Sequence, residues 1–117
     1  MKIRTVYFKA ANMEKALYFW EGFLSFPPHK KSKYWSEFKC SNINLGILWD
    51  ESFELQKDKS NFVPVFEFDQ SELEKNKDRA LTFGASVVLD IANHPDKKSY
   101  VLADPFGNEF EVTKFHD

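Results

Sequence analysis

Asp104-Pro105-Phe106-Gly107-Asn108-Glu109-Phe110-Glu111-Val112 is the stretch from which the rest of the chain can be read. Its first four residues fit a type I turn place by place: Asp favours the first position, Pro presets φ at the second and Gly suits the fourth. Residues 108–115 then alternate in the manner of a strand, and residues 98–103 read as its hairpin partner. Working backwards, residues 86–91 give another strand. It is preceded by a helix that opens on Ser71-Glu72-Leu73-Glu74, the pattern of a capping box. That helix turns Leu73, Ala80 and Leu81 inward, and Gly84 serves as its left-handed stop. Residues 61–69 read as the strand before it, with Pro64 demanding an edge or irregular position.

The front half shows the same order. Residues 3–10 are β-branched and aromatic, as a strand requires. Asn12 offers an N-cap, Glu14 sits in the first turn, and Met13, Ala16, Leu17, Trp20 and Leu24 follow at helical spacing. Pro27 and Pro28 end that helix. Residues 33–40 and 44–49 read as strands joined by a turn at Ser41-Asn42, and the basic run Lys30-Lys31-Ser32-Lys33 as a solvated loop. The expected order is β-α-β-β-β, a charged connector, and β-α-β-β-β again. Module one covers about 1–50, the connector 51–60 and module two 61–117, all within one α+β domain spanning 1–117. Each helix covers one face of a small curved mixed sheet, and the other faces enclose a cleft.

Composition narrows the partners. The chain has 117 residues, thirteen of them Phe, and a formal charge of −2. That balance gives no footprint for nucleic acid or an anionic membrane. No apolar run is long enough to span a bilayer, and Met1–Thr5 leads into a strand rather than a signal peptide. The single Cys40 can form no internal disulfide and reads as a small buried hydrophobe, so a cytoplasmic setting is expected.

The closing stretch resembles the D-P-x-G-N-x-x-E-φ ending of the vicinal oxygen chelate superfamily, which includes glyoxalase I, bleomycin-resistance proteins and extradiol dioxygenases. The opening strand followed by Asn12-Met13-Glu14-Lys15-Ala16-Leu17-Tyr18-Phe19-Trp20 is similar to the D-x-x-x-A-x-x-F-Y helix of that superfamily, with Asn12 for Asp and Trp20 for Tyr. The resemblance covers essentially the whole chain as paired βαβββ modules. It implies a homodimer and four metal-ligand positions, one on each of four strands, filled in metal-dependent members by His, Gln and Glu. Here those positions fall on Thr5, near Gly46, on Val63 and on Glu111, of which only Glu111 is a competent ligand. His29, His94 and His116 read as surface histidines. No catalytic metal, cofactor or catalytic residue is therefore expected.

Strand parity places Thr5, Tyr7, Asn44, Leu48, Val63, Val65, Glu67, Glu111 and Thr113 towards the cleft, and Val6, Phe8, Phe66, Phe68, Phe110 and Val112 under the helices. The ligand-binding set is Tyr7, Asn44, Leu48, Val65, Glu67, Glu111 and Thr113, mostly apolar with a few polar handles. Trp35 and Trp49 either stack on a ligand or serve core or dimer packing. Glu111 is either a cleft acceptor assisted by Glu67, or a residue of the family ending paired with a nearby Lys. The favoured reading is a metal-independent protein of the bleomycin-resistance type that captures a small aromatic or amphipathic molecule. The alternative is a metal-dependent lyase, isomerase or dioxygenase of the glyoxalase type. A metal-free enzyme with Glu111 or Glu67 as base, and a dimeric domain serving a partner protein, are the other two readings.

Overall fold

The computed structural model describes residues 3–53, 63–67, 72–93 and 97–115. Along them run β1 (Thr5–Ala10), α1 (Met13–Leu24), β2 (Lys30–Lys31), β3 (Trp35–Lys39), β4 (Asn44–Trp49), β5 (Val65–Phe66), α2 (Leu73–Phe83), β6 (Ser86–Ile91), β7 (Lys97–Ala103) and β8 (Glu109–Phe115). The strands form two four-stranded sheets, ordered β1-β4-β3-β2 and β5-β8-β7-β6. β1 and β4 are parallel, as are β5 and β8, and every other pairing is antiparallel. This is the α+β fold of paired βαβββ units.

The helix ends follow their local chemistry. Asn12 is extended, and its side chain accepts the Lys15 N–H at 3.0 Å, satisfying one of the orphan donors of the first turn. Ser25, rather than a glycine, takes the left-handed position after α1 at φ 69°, two residues before Pro27. Gly84 caps α2 at φ 117°. The N-cap is Glu72, which makes no side-chain cap bond, and the Ser71 end of the expected capping box lies outside the described residues. Glu74 is instead engaged by the Tyr100 hydroxyl and by Lys77, which together hold its carboxyl below the usual glutamate range. Leu81 is exposed rather than turned inward; Asn76 and Ala80 are the buried positions of α2.

Two strands differ from the reading of the sequence. Lys30–Lys31 is not a loop but β2, paired with Ser36 and Glu37 and extended by the His29 N–H to Glu37 carbonyl bond. Two lysines carry no apolar signal, and a short charged edge strand is how sheets blunt their ends. Within 61–69, strand pairing is confined to Val65–Phe66 among the described residues, and Pro64, just before this edge strand, accepts from the Glu111 N–H. At the far edge, β6 pairs irregularly with β7 between Val87 and Leu89, and Val87, Val88 and Leu89 are all exposed.

One aromatic core serves both sheets. Trp20 stacks on Phe8 of β1 and also meets Phe66 of β5 and Phe110 of β8. Phe23 touches Phe66 and Phe110 as well, and Arg79 of α2 donates to the Phe23 carbonyl at the end of α1, where carbonyls lack helical partners. Val6, Phe8, Phe66, Phe110 and Val112 face this core as expected, and Phe68 lies outside the described residues.

The modules are clasped by the Asp104–Gly107 turn. Asp104 is buried, and its Oδ1 accepts the backbone N–H of Phe106 and of Asn108, each at 2.9 Å. Its Oδ2 accepts Trp20 Nε1 at 3.2 Å and Asn108 Nδ2 at 3.0 Å. Asn108 Nδ2 also donates to the Lys9 carbonyl of β1. Four donors converge on two oxygens, so an amide, with one acceptor and two donors, cannot replace the carboxylate without setting donor against donor. Asp104→Ala and Asp104→Asn are both expected to destabilise the fold by about 3 kcal/mol, lowering Tm by roughly 10 °C in a thermal melt. Unchanged melting of either variant would contradict the clasp.

Burial is the larger influence on Asp104 and raises its pKa above the ordinary value of 3.8, against the hydrogen bonds that lower it. The folded chain therefore takes up this proton before the unfolded chain does. At this residue acidification through the range just above 3.8 favours folding, and raising the pH through that range removes the contribution. A carboxyl carbon NMR titration should place the Asp104 midpoint above 3.8; a midpoint at or below it would contradict the assignment.

Candidate functional site

The pairing registers sort every strand residue onto a face, because directly opposed residues point the same way. In the first sheet, Val6, Phe8, Leu45, Ile47 and Phe38 lie on the helix side. The open side carries three rows: Thr5, Asn44 and Lys39; Tyr7, Gly46, Glu37 and Lys30; Lys9, Leu48 and Trp35. Trp49 has the parity of the helix side, donates to the Ala11 carbonyl and packs on Tyr34, so it does not share the open face with Trp35.

The middle row explains its glycine. The Trp35 ring lies over Gly46 so closely that a Cβ added there would sit 2.2 Å from the ring. Tyr7 meets the same ring edge-on, with centroids 5.6 Å apart, and is 51% exposed. Trp35 thus forms an aromatic floor with the glycine as its seat, and Tyr7 stands against it as a wall. Since α1 packs against both sheets at once, both turn their open sides away from one shared core. A hollow of about 330 Å3 lies at the seam, lined by Tyr7, Lys9, Phe53, Pro64 and Asn108 among others. That volume is in the range of small-molecule sites.

Beside the floor is a pair that the reading of the sequence missed. Glu37 is only 3% exposed on this face, and its Oε2 lies 2.7 Å from His29 Nε2 and 3.4 Å from Asn44 Nδ2. His29 is exposed, as expected, but its ring also hydrogen-bonds a buried carboxylate, as a polar group out of water requires. The two residues are eight apart in sequence and meet only because β2 folds back on β3. Their signal would have been the register of those strands, which the lysine run concealed. His94 and His116 lie outside the described residues.

The open side of the second sheet carries Val65, Glu111 and Val101 in one row, with Thr113 opposite Ser99 in the next. Glu111, Thr113 and Ser99 are buried. Ser99 Oγ lies 3.1 Å from Glu111 Oε2 and 2.7 Å from Thr113 Oγ1, and Thr113 donates to the Lys98 carbonyl. Ser99 went unnoticed in the sequence, although the register of the hairpin places it opposite Thr113. Val65 and Glu67 are exposed, Asn44 and Leu48 half-buried. Of the expected ligand-binding set, Tyr7, Asn44 and Leu48 share the open face of the first sheet. Val65, Glu111 and Thr113 share that of the second, and Glu67 follows directly after β5.

The donor set can be tested against the metal that the fold implies. Thr5 stands opposite Asn44, Gly46 is covered by the Trp35 ring, Val63 is apolar and half-buried, and Glu111 is bonded to Ser99. Among the described residues no three His, Cys, Asp or Glu side chains gather as a metal-binding group. A divalent ion of the zinc, iron or manganese kind needs several N, O or S ligands at once, and these positions do not supply them. Cys40, half-buried at the end of β3, has its thiol pKa pushed up by burial, away from reactivity. No helix among the described residues is long and apolar enough to cross a membrane.

Comparison with known proteins agrees with this architecture. The structure is similar to that of a glyoxalase/bleomycin resistance protein/dioxygenase family enzyme from Burkholderia phytofirmans PsJN: TM-score 0.82, 16% identity, covering 99% of this chain and 100% of that one. It is also similar to a glyoxalase-related enzyme from Fulvimarina pelagi, with TM-score 0.79 and 12% identity over 97% of this chain and 87% of that one. A third likeness is to lactoylglutathione lyase from Agrobacterium tumefaciens, with TM-score 0.68 and 19% identity over 95% and 91%. At such identities the likeness establishes the fold alone. No curated protein matches the chain significantly in sequence. The profile of the glyoxalase-like domain matches residues 5–113, nearly the full length, and the chain belongs to that family, within the vicinal oxygen chelate superfamily.

Proposed function

We propose that this protein binds a small planar, largely apolar molecule without a metal ion, on the open face of the first sheet beside the seam hollow. The observation that carries the reading is the Trp35 ring seated on Gly46. An aromatic floor occupies the place where a metal-dependent relative would present a ligand side chain, and the two arrangements exclude each other sterically. Tyr7, half exposed against that ring, supplies the wall, and Asn44 and Leu48 flank it. Aromatic pairs of this kind present large area with little side-chain freedom to lose, which favours capture of another flat ring.

On this reading the protein acts by stoichiometric capture, in the manner of bleomycin-resistance-type members, and carries no catalytic residue or cofactor. It works as a cytoplasmic homodimer with neither nucleic acid nor membrane as partner. The acidic residues Glu67 and Glu111 supply polar contacts from the second sheet, with Val65 and Thr113 beside them.

Native mass spectrometry of gently purified protein is expected to give a metal-free dimer; one transition-metal ion held per chain would overturn the reading. Gly46→Ala should displace the Trp35 ring and cost about 2 kcal/mol through overpacking, seen as a lowered Tm and shifted Trp35 and Tyr7 NMR resonances. Unshifted resonances would refute the seating of Trp35 on Gly46.

A further inference from the structure

The Glu37 carboxylate has one committed oxygen and one that is not. Both of its side-chain contacts, from His29 and Asn44, end on Oε2. Oε1 accepts no hydrogen bond from any described residue. It is not sealed either: among the described residues, Ser36 Oγ is the one fully enclosed side-chain polar atom that lacks a partner. The carboxylate is thus held in place through one oxygen, with the other left uncommitted by the described residues and open on the face of the sheet, free to accept from a bound molecule.

The neighbours say what the donor can be. Glu37 lies next to Gly46 in the middle row, and Gly46 next to Tyr7, with the Trp35 ring covering the glycine between them. A flat molecule resting on the Trp35 ring therefore has its rim beside Glu37. A cationic group is disfavoured there, because Lys30, Lys39 and Lys9 share the face. An anionic group would meet Glu37 itself. A neutral N–H on an aromatic ring suits both the acceptor and the surrounding charge.

We infer that Glu37 Oε1 is the recognition point for a neutral heteroaromatic ring N–H, held while the ring lies on Trp35 with its edge against Tyr7, and that His29 and Asn44 are positioning residues that orient the carboxylate. This rests on the proposed aromatic-binding function and specifies its ligand class. No bond to carbon is made or broken.

The test compares indole with 1-methylindole, which keeps the ring and lacks the donor, by NMR titration of the wild-type protein and of Glu37→Leu. Wild type should bind indole with shifts at Trp35 and Tyr7 and bind 1-methylindole about tenfold more weakly, a preference that Glu37→Leu abolishes. Should that variant fail to fold, the same pair of probes on His29→Ala, which frees the carboxylate to turn, is expected to show a reduced preference. Equal affinity of wild type for both probes, with shifts at Trp35 and Tyr7, overturns the N–H assignment and leaves aromatic binding standing. A preference that persists in Glu37→Leu overturns the role of Glu37. Absence of shifts with either probe overturns the aromatic floor as well.

Discussion

The buried Asp104 carboxylate is the contact on which the arrangement of the two modules depends. It gathers a tryptophan from the first helix, two backbone N–H groups of its own turn and an asparagine that reaches on to the first strand. An ionisable group held out of water is costly unless its hydrogen-bonding capacity is filled, and here each oxygen has two donors. The same residues that specify the turn also fix Trp20, and Trp20 is the side chain against which Phe8, Phe66 and Phe110 are packed. Local turn chemistry and the shared core are thus one constraint.

From that constraint follows the difference between the two faces of each sheet. The helix sides are closed by aromatic packing and leave little freedom for chemistry. The open sides hold what the core would not tolerate: a glutamate hydrogen-bonded to histidine in one sheet, and a glutamate tied to serine and threonine in the other. The glycine under Trp35 belongs to this logic, since it sacrifices a side chain so that a ring can lie flat on the strand.

The fold was legible where the signal is short-range. The turn at Asp104–Gly107, the Asn12 cap, the Gly84 stop and the alternation of β8 each depend on neighbours a few residues away. What escaped was long-range. Lys30–Lys31 is a strand only because β3 lies beside it, Glu74 leaves its own helix end for Tyr100, and His29 meets Glu37 only after β2 turns back. The faces of β1, β4 and β8 could be assigned by parity, which put Tyr7, Asn44, Leu48, Glu111 and Thr113 on open sides. Trp35 and Trp49 could not be separated until register set them on opposite faces of the same sheet. Ser99 needed only the hairpin register and could have been found.

The irregular β6 strand bears on how the protein stays in solution. Ser86-Val87-Val88-Leu89-Asp90-Ile91 is a six-residue run of high strand propensity without proline, exposed along the free edge of a sheet. Such an edge is a template on which further chains can add and grow into cross-β aggregates. The bulge between Val87 and Leu89 breaks the flat ladder that such growth requires, and Asp90 places a charge that would be repeated in every added copy. The irregularity thus guards against fibre formation, and straightening it would trade a tidier sheet for a stickier one.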